Sequence, residues 1–154
     1  MMNLNQLLNR RWETKTILRV MAIVTLIGVA DTAYLASNYY FGGEVKCLIT
    51  EGCEVVLTSP YSKILSVPLA IFGLIFYAGM FAVINALDIY QEKYMLKALI
   101  AGGIIGFSAS LVFLYIQLFV LDALCFYCLI SLATSTVLFI LAILSLRAWN
   151  KNEK

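Results

Sequence analysis

Histidine is absent from the 154 residues, and charged side chains make up only 13% of them. The first absence means that any proton or thiol chemistry here runs without an imidazole. The second excludes an ordinary soluble domain, which carries about 25% charged residues. Net charge is only +2, so the basic footprint of a nucleic-acid-binding surface is missing. Low-complexity tracts, internal repeats and linkers between domains are also lacking. The first apolar run is too long for a signal peptide, and no small-residue cleavage site follows it.

What is present is apolar: 62% of the residues are hydrophobic, concentrated in four runs at roughly 17–40, 67–87, 98–120 and 125–146. Each reaches the ~20 apolar residues that a helix needs to cross a bilayer, and strands are disfavoured at such lengths. The expected fold is an all-α membrane protein. A single domain over 1–154 forms a four-transmembrane-helix bundle, capped at its active site by an extracytoplasmic loop, 41–66. Four spans put both termini on one side. Arg10, Arg11, Lys15, Arg19, Lys93, Lys97, Arg147, Lys151 and Lys154 share that side, whereas only Lys46 and Lys63 lie on the other. The positive-inside rule makes the richer side cytoplasmic.

This topology gives the four cysteines their meaning. Cys47 and Cys53, spaced C-x5-C, lie in the outer loop, and Cys125 and Cys128, spaced C-x2-C, lie at the outer mouth of span four. All four therefore face the side where disulfides form and persist. At a helix start, free backbone N–H groups and the dipole stabilise a thiolate, with Asp122 expected as the N-cap of that helix. Cys128 lies about one turn deeper than Cys125, so it is better placed for a hydrophobic oxidant and Cys125 for another protein thiol. The loop pair has Gly42, Gly43 and Gly52 around it, and it reads equally well as a redox pair or as a stabilising disulfide. Zinc is disfavoured by the wide spacing of the loop pair and by the oxidising side, so no metal is expected.

Asp31 lies in the outer half of span one, where an ionisable group is expensive. It is a candidate proton relay, or else a carboxyl that ties helices together. Gln117 is placed to contact a ligand or a neighbouring helix. Phe72, Phe76, Tyr77, Phe107, Phe113 and Tyr115 are candidates for a flat-ring pocket, with ordinary bundle core as the alternative. Gly102, Gly106 and Ser110 make a small-residue face suited to close helix packing.

Several pieces carry a resemblance: Asp31-Thr-Ala-Tyr-Leu in span one, the Cys47/Cys53 pair, GCEVVLTSPYSKILSVPLAIFGLIFY from Gly52 to Tyr77, and LCFYCLIS from Leu124 to Ser131. With the four-span layout, the chain resembles the vitamin K epoxide reductase (VKOR) family, in its bacterial branch and without a fused thioredoxin domain. The resemblance implies catalytic roles for Cys47, Cys53, Cys125 and Cys128. It implies a membrane quinone, ubiquinone or menaquinone, held in a pocket whose candidate residues are Ser59, Phe72, Phe76, Phe113 and Gln117. It further implies a thiol oxidase of the bacterial inner membrane that reoxidises a separate DsbA-like thioredoxin-fold partner. Leu69 and Leu132 stand where vertebrate members carry an asparagine and a tyrosine that hold the vitamin K ring, which disfavours an epoxide substrate. The alternatives are a vitamin K quinone or epoxide reductase, and a non-catalytic membrane subunit whose disulfides are structural.

Overall fold

The computed structural model describes residues 4–42 and 52–152, with side chains over 14–42 and 52–150. Four long helices dominate: α1 (Leu4–Phe41), α3 (Leu69–Tyr90), α4 (Lys93–Phe119) and α5 (Phe126–Asn152). Each contains a stretch long and apolar enough to cross a membrane: Thr14–Phe41, Leu69–Tyr90, Lys93–Phe119 and Phe126–Asn150. The protein is thus an all-α four-helix membrane bundle. Between α1 and α3 lie the short helix α2 (Cys53–Thr58), a 3-10 turn (Pro60–Ser62) and the strands β1 (Lys63–Ile64) and β2 (Val67–Pro68). The sequence predicts loop only as far as Ser66 and a helix from Val67, but Val67 and Pro68 form β2 and the helix begins at Leu69. The two strands pair antiparallel, Lys63 opposite Pro68, around Leu65 and Ser66, both at positive φ. That backbone is the one a tight two-residue hairpin requires, although neither residue is the glycine or asparagine that normally announces it.

The long helices pack in a ring. α1 contacts α3 and α5, and α4 contacts α3 and α5. Away from the α2 end, large side chains fill the centre: Leu18 and Met21 of α1, Met80, Ile84 and Leu87 of α3, Leu96 and Leu99 of α4, and Leu138 of α5. At the α2 end the inward positions are small or polar, including Gly73, Gly106, Ala109, Ser110, Ser131 and Ser135. Small side chains at helical spacing cannot close the ring centre, and a cavity remains there. The small face of α4 works as close packing against two neighbours, α3 and α5. Gly102 lies under Met80, Gly106 under Phe76, and Ser110 accepts a 2.8 Å hydrogen bond from Ser135 of α5. Outward positions such as Ile23, Ile75, Ile104, Val112 and Ile140 are apolar and exposed, as a lipid-facing surface demands.

One local expectation is corrected. Asp122 does not cap α5. It sits at φ 47° inside the connection, and the first bond of the helix runs from the Leu129 N–H to the Cys125 carbonyl. Cys125 itself is therefore the half-in residue at the helix start. The tight reversal after α4, closed by Leu121 N–H on the Ile116 carbonyl and Ala123 N–H on that of Gln117, uses up the residues that would have placed Asp122 at the cap.

Candidate active site

α2 forms a roof over the open end of the ring because Gly52 permits a close approach. A Cβ on Gly52 would lie 2.7 Å from the Leu124 carbonyl oxygen and 2.8 Å from its nitrogen. Only glycine lets the backbone rest there, and the next residue, Cys53, is thereby carried to the start of α5. Cys53 and Cys125 are 1% and 0% exposed and belong to one buried cluster with Val56. Leu57, Leu121, Ala123, Phe126, Tyr127 and Cys128 pack around it. Cys53 is disulfide-bonded, whereas Cys125 and Cys128 are thiols. Cys47 lies outside the described residues.

Cys125 is held from two directions. Its backbone N–H donates to the Gln117 amide oxygen at 2.8 Å. Its sulfur is hydrogen-bonded by the Cys128 side chain, which is the main reason its pKa falls from 9.0 to about 7. Burial opposes that fall, while the backbone N–H groups of Cys128 and Tyr127 assist it, and the nearby Asp31 carboxylate opposes it. Free N–H groups in the first turn of a helix thus act on this thiol as the helix start predicts.

Below the roof is a cavity of about 1340 Å³. The two thiols relate to it differently: Cys128 is on its wall, and Cys125 is not. Cys53 reaches the wall from the roof. Five of the pocket candidates named from the sequence line it, Ser59, Phe72, Phe76, Phe113 and Gln117, together with Asp31. Their local roles are distinct. Ser59 ends α2 and donates to the Val56 carbonyl at 2.7 Å. Phe76 is pressed over Gly106 and meets the Tyr77 ring edge-on at 5.2 Å. Gln117 is 3% exposed and serves the neighbouring chain segment through Cys125, while still facing the cavity.

Two other aromatic candidates are elsewhere. Phe107 stacks on Phe139 at 5.0 Å, and Tyr115 packs on Phe119 at 4.9 Å; neither reaches the cavity wall. Tyr77 does reach it, and its hydroxyl links α3 to α5. It donates to the Ser131 carbonyl at 2.9 Å and lies 2.7 Å from the Thr134 hydroxyl. The polar stripe Ser131, Thr134 and Ser135 is not among the residues expected from the sequence, yet Ser131 and Ser135 face the cavity. Its signal was available, because residues three and seven beyond Cys128 share that cysteine's helix face.

The cavity suits an aromatic acceptor in its chemistry. Phenylalanine rings offer flat apolar contacts, hydroxyl and amide groups offer a few polar ones, and the Cys128 thiol is at the wall. Residues 19–143, most of the chain, match the model of the vitamin K epoxide reductase family. No curated protein matches the sequence. Carrying that match across all four spans, the chain belongs to the vitamin K epoxide reductase family, whose members are membrane oxidoreductases.

Proposed function

We propose that this protein is a membrane thiol oxidase that takes electrons from a separate DsbA-like thioredoxin-fold protein and passes them to a membrane quinone, ubiquinone or menaquinone. The observation that supports this reading best is the position of the inner pair. Cys125 is packed with the disulfide-bonded Cys53 under α2, while Cys128, one helical turn on, is at the cavity wall. Electrons entering at the loop pair thus pass through Cys125 to reach Cys128.

In this mechanism a partner thiolate opens the disulfide of the loop pair, Cys47 and Cys53. A loop thiolate then attacks Cys125 in the Cys125–Cys128 disulfide, and Cys128 leaves. Both steps are thiol–disulfide exchange, which depends on reach and on the leaving thiol and needs no general base. The burial of Cys53 means that α2 shifts to admit the partner. Quinone, when bound, supplies the two-electron oxidant. Phe72, Phe76 and Phe113 hold its ring, Ser59 and Gln117 offer polar contacts, and Cys128 closes back onto Cys125 as the pair is oxidised. Leu69 at the cavity wall presents methyl groups where a vitamin K-selective pocket would place a hydrogen-bonding side chain, which favours quinone over epoxide. The positive-inside distribution supports a reading with both termini in the cytoplasm and the four cysteines on the oxidising side of a bacterial inner membrane.

The test follows the redox state of a purified DsbA-like protein incubated with the chain in quinone-containing vesicles. Reoxidation should occur with the wild type and stop in Cys125→Ser and Cys128→Ser. Either variant reoxidising the partner at the normal rate sinks the reading.

A further inference from the structure

Buried polar side chains in this bundle are hydrogen-bonded as a rule. Thr25, Thr32, Thr134, Ser135 and Ser145 each donate to a carbonyl one turn back on their own helix, and Gln117 bonds Cys125. Asp31 breaks the rule. It is 9% exposed, and neither carboxyl oxygen has a hydrogen-bond partner among the described residues. Among the described residues the other unpartnered buried side-chain atom is the Trp149 ring nitrogen, near the far end of α5. Asp31 lines the cavity together with Cys128. The titratable groups that feel its charge are Tyr77 from α3, and Cys125, Tyr127 and Cys128 from the start of α5. An ionised carboxylate without partners is costly away from water, so its presence at this wall calls for a chemical use.

Proton accounting supplies one. Two loop thiols bring two electrons and two protons to the inner disulfide. Above about pH 7 the reduced Cys125 is mainly a thiolate, hydrogen-bonded by Cys128, so one of the two protons then has no sulfur to occupy. Resting on the function proposed above, we propose that Asp31 stores the proton that Cys125 sheds and returns it to the reduced quinone, acting as a catalytic proton carrier in a chain without histidine. In the first half-reaction the loop disulfide forms and the Cys125–Cys128 bond breaks. One proton stays on Cys128, the other goes to the Asp31 carboxylate, and Cys125 is left as the thiolate. In the second half, the Cys125–Cys128 bond reforms and its electron pair passes to the quinone. The protons of Cys128 and Asp31 leave for the two ring oxygens. The site carries one negative charge throughout, on Asp31 or on Cys125, so two neighbouring anions are never buried together.

The experiment uses the full chain, reduced with dithiothreitol and mixed anaerobically with a short-chain ubiquinone, with quinol formation followed by absorbance. A wild type that forms no quinol overturns the proposed function itself. With an active wild type, Asp31→Asn should slow quinol formation about a hundredfold, the scale of a lost proton donor. Asp31→Glu should recover much of the loss. Undiminished quinol formation in Asp31→Asn, or Asp31→Glu no faster than Asp31→Asn, overturns the role of Asp31. Infrared difference spectra of the wild type test it independently of any variant's folding. A protonated-carboxyl band should appear when the inner pair is reduced and vanish when quinone reoxidises it, and its absence overturns the proposal.

Discussion

The amide oxygen of Gln117 accepts the backbone N–H of Cys125 at 2.8 Å, so the last full turn of α4 fixes where α5 and its redox pair begin. Gln117 adds a second hold through its own carbonyl, which accepts the Ala123 N–H at 3.1 Å. Truncating the side chain leaves a buried N–H unpaired, at a cost of about 1–3 kcal/mol. Gln117→Ala is therefore expected to unfold at lower temperature in detergent and to reoxidise the thiol partner more slowly. A melting temperature equal to that of the wild type would contradict this assignment.

The Cys125 thiol titrates at about 7 chiefly because Cys128 hydrogen-bonds to its sulfur. Above that pH the thiolate dominates, and below it the unreactive thiol does. Alkylation of Cys125 in the reduced inner pair should rise with pH about a midpoint near 7 and fall away on acidification. Cys128→Ala removes the main cause and leaves burial, which acts in the opposite sense, so the midpoint should move upward. Peptide mass spectrometry of iodoacetamide labelling across a pH series reads both values, and an unmoved midpoint would refute the cause given.

Gly28 of α1 faces Tyr77 of α3 so closely that a Cβ there would lie 2.5 Å from the ring. The ring cannot yield freely, because its hydroxyl is bound to Ser131 and Thr134. Overpacking of this kind costs roughly 1–3 kcal/mol. Gly28→Ala should lower thermal stability by that order, and the further change Tyr77→Phe should add less than it does alone, since the two share one contact. A double-mutant cycle on melting curves measures the coupling, and strict additivity would rule it out.

Gly106 seats the Phe76 ring at the cavity wall. A methyl group in Gly106→Ala would push the ring toward the cavity space. On the proposed function, the apparent KM for a short-chain ubiquinone should rise severalfold, while reduction of the inner disulfide by dithiothreitol is unchanged. An unaltered KM would separate Phe76 from acceptor binding.

The four spans were legible because a bilayer imposes a length and a composition that few other structures share. Their ends were less so: α4 starts at Lys93, five residues before the apolar run, because a helix can extend beyond the hydrocarbon with charged residues in its first turn. That Ser59, Phe72, Phe76, Phe113 and Gln117 share one cavity wall was legible too, whereas Cys47 of the loop pair lies outside the described residues. Phe107 and Tyr115 show the limit. Their residue type matches Phe113, but their angular position on α4 turns them to Phe139 and to the Phe119 side. The hairpin at Leu65 and Ser66 was not legible, because neither residue advertises positive φ; the strand pairing on either side holds it there.

Hydrophobic run length alone determined that this chain crosses a membrane four times, and the spacing of its cysteines determined that one pair opens the last helix. The tertiary structure decided what each cysteine touches. Helix periodicity constrains which residues share a face, but not which neighbour that face meets. Only the closed ring, with α2 resting on Leu124 through Gly52, brings Cys53 beside Cys125, turns Cys128 to the cavity and leaves Asp31 unpartnered at the same wall. Those relations depend on backbone approaches between segments up to a hundred residues apart, where one missing Cβ decides whether two chains can touch.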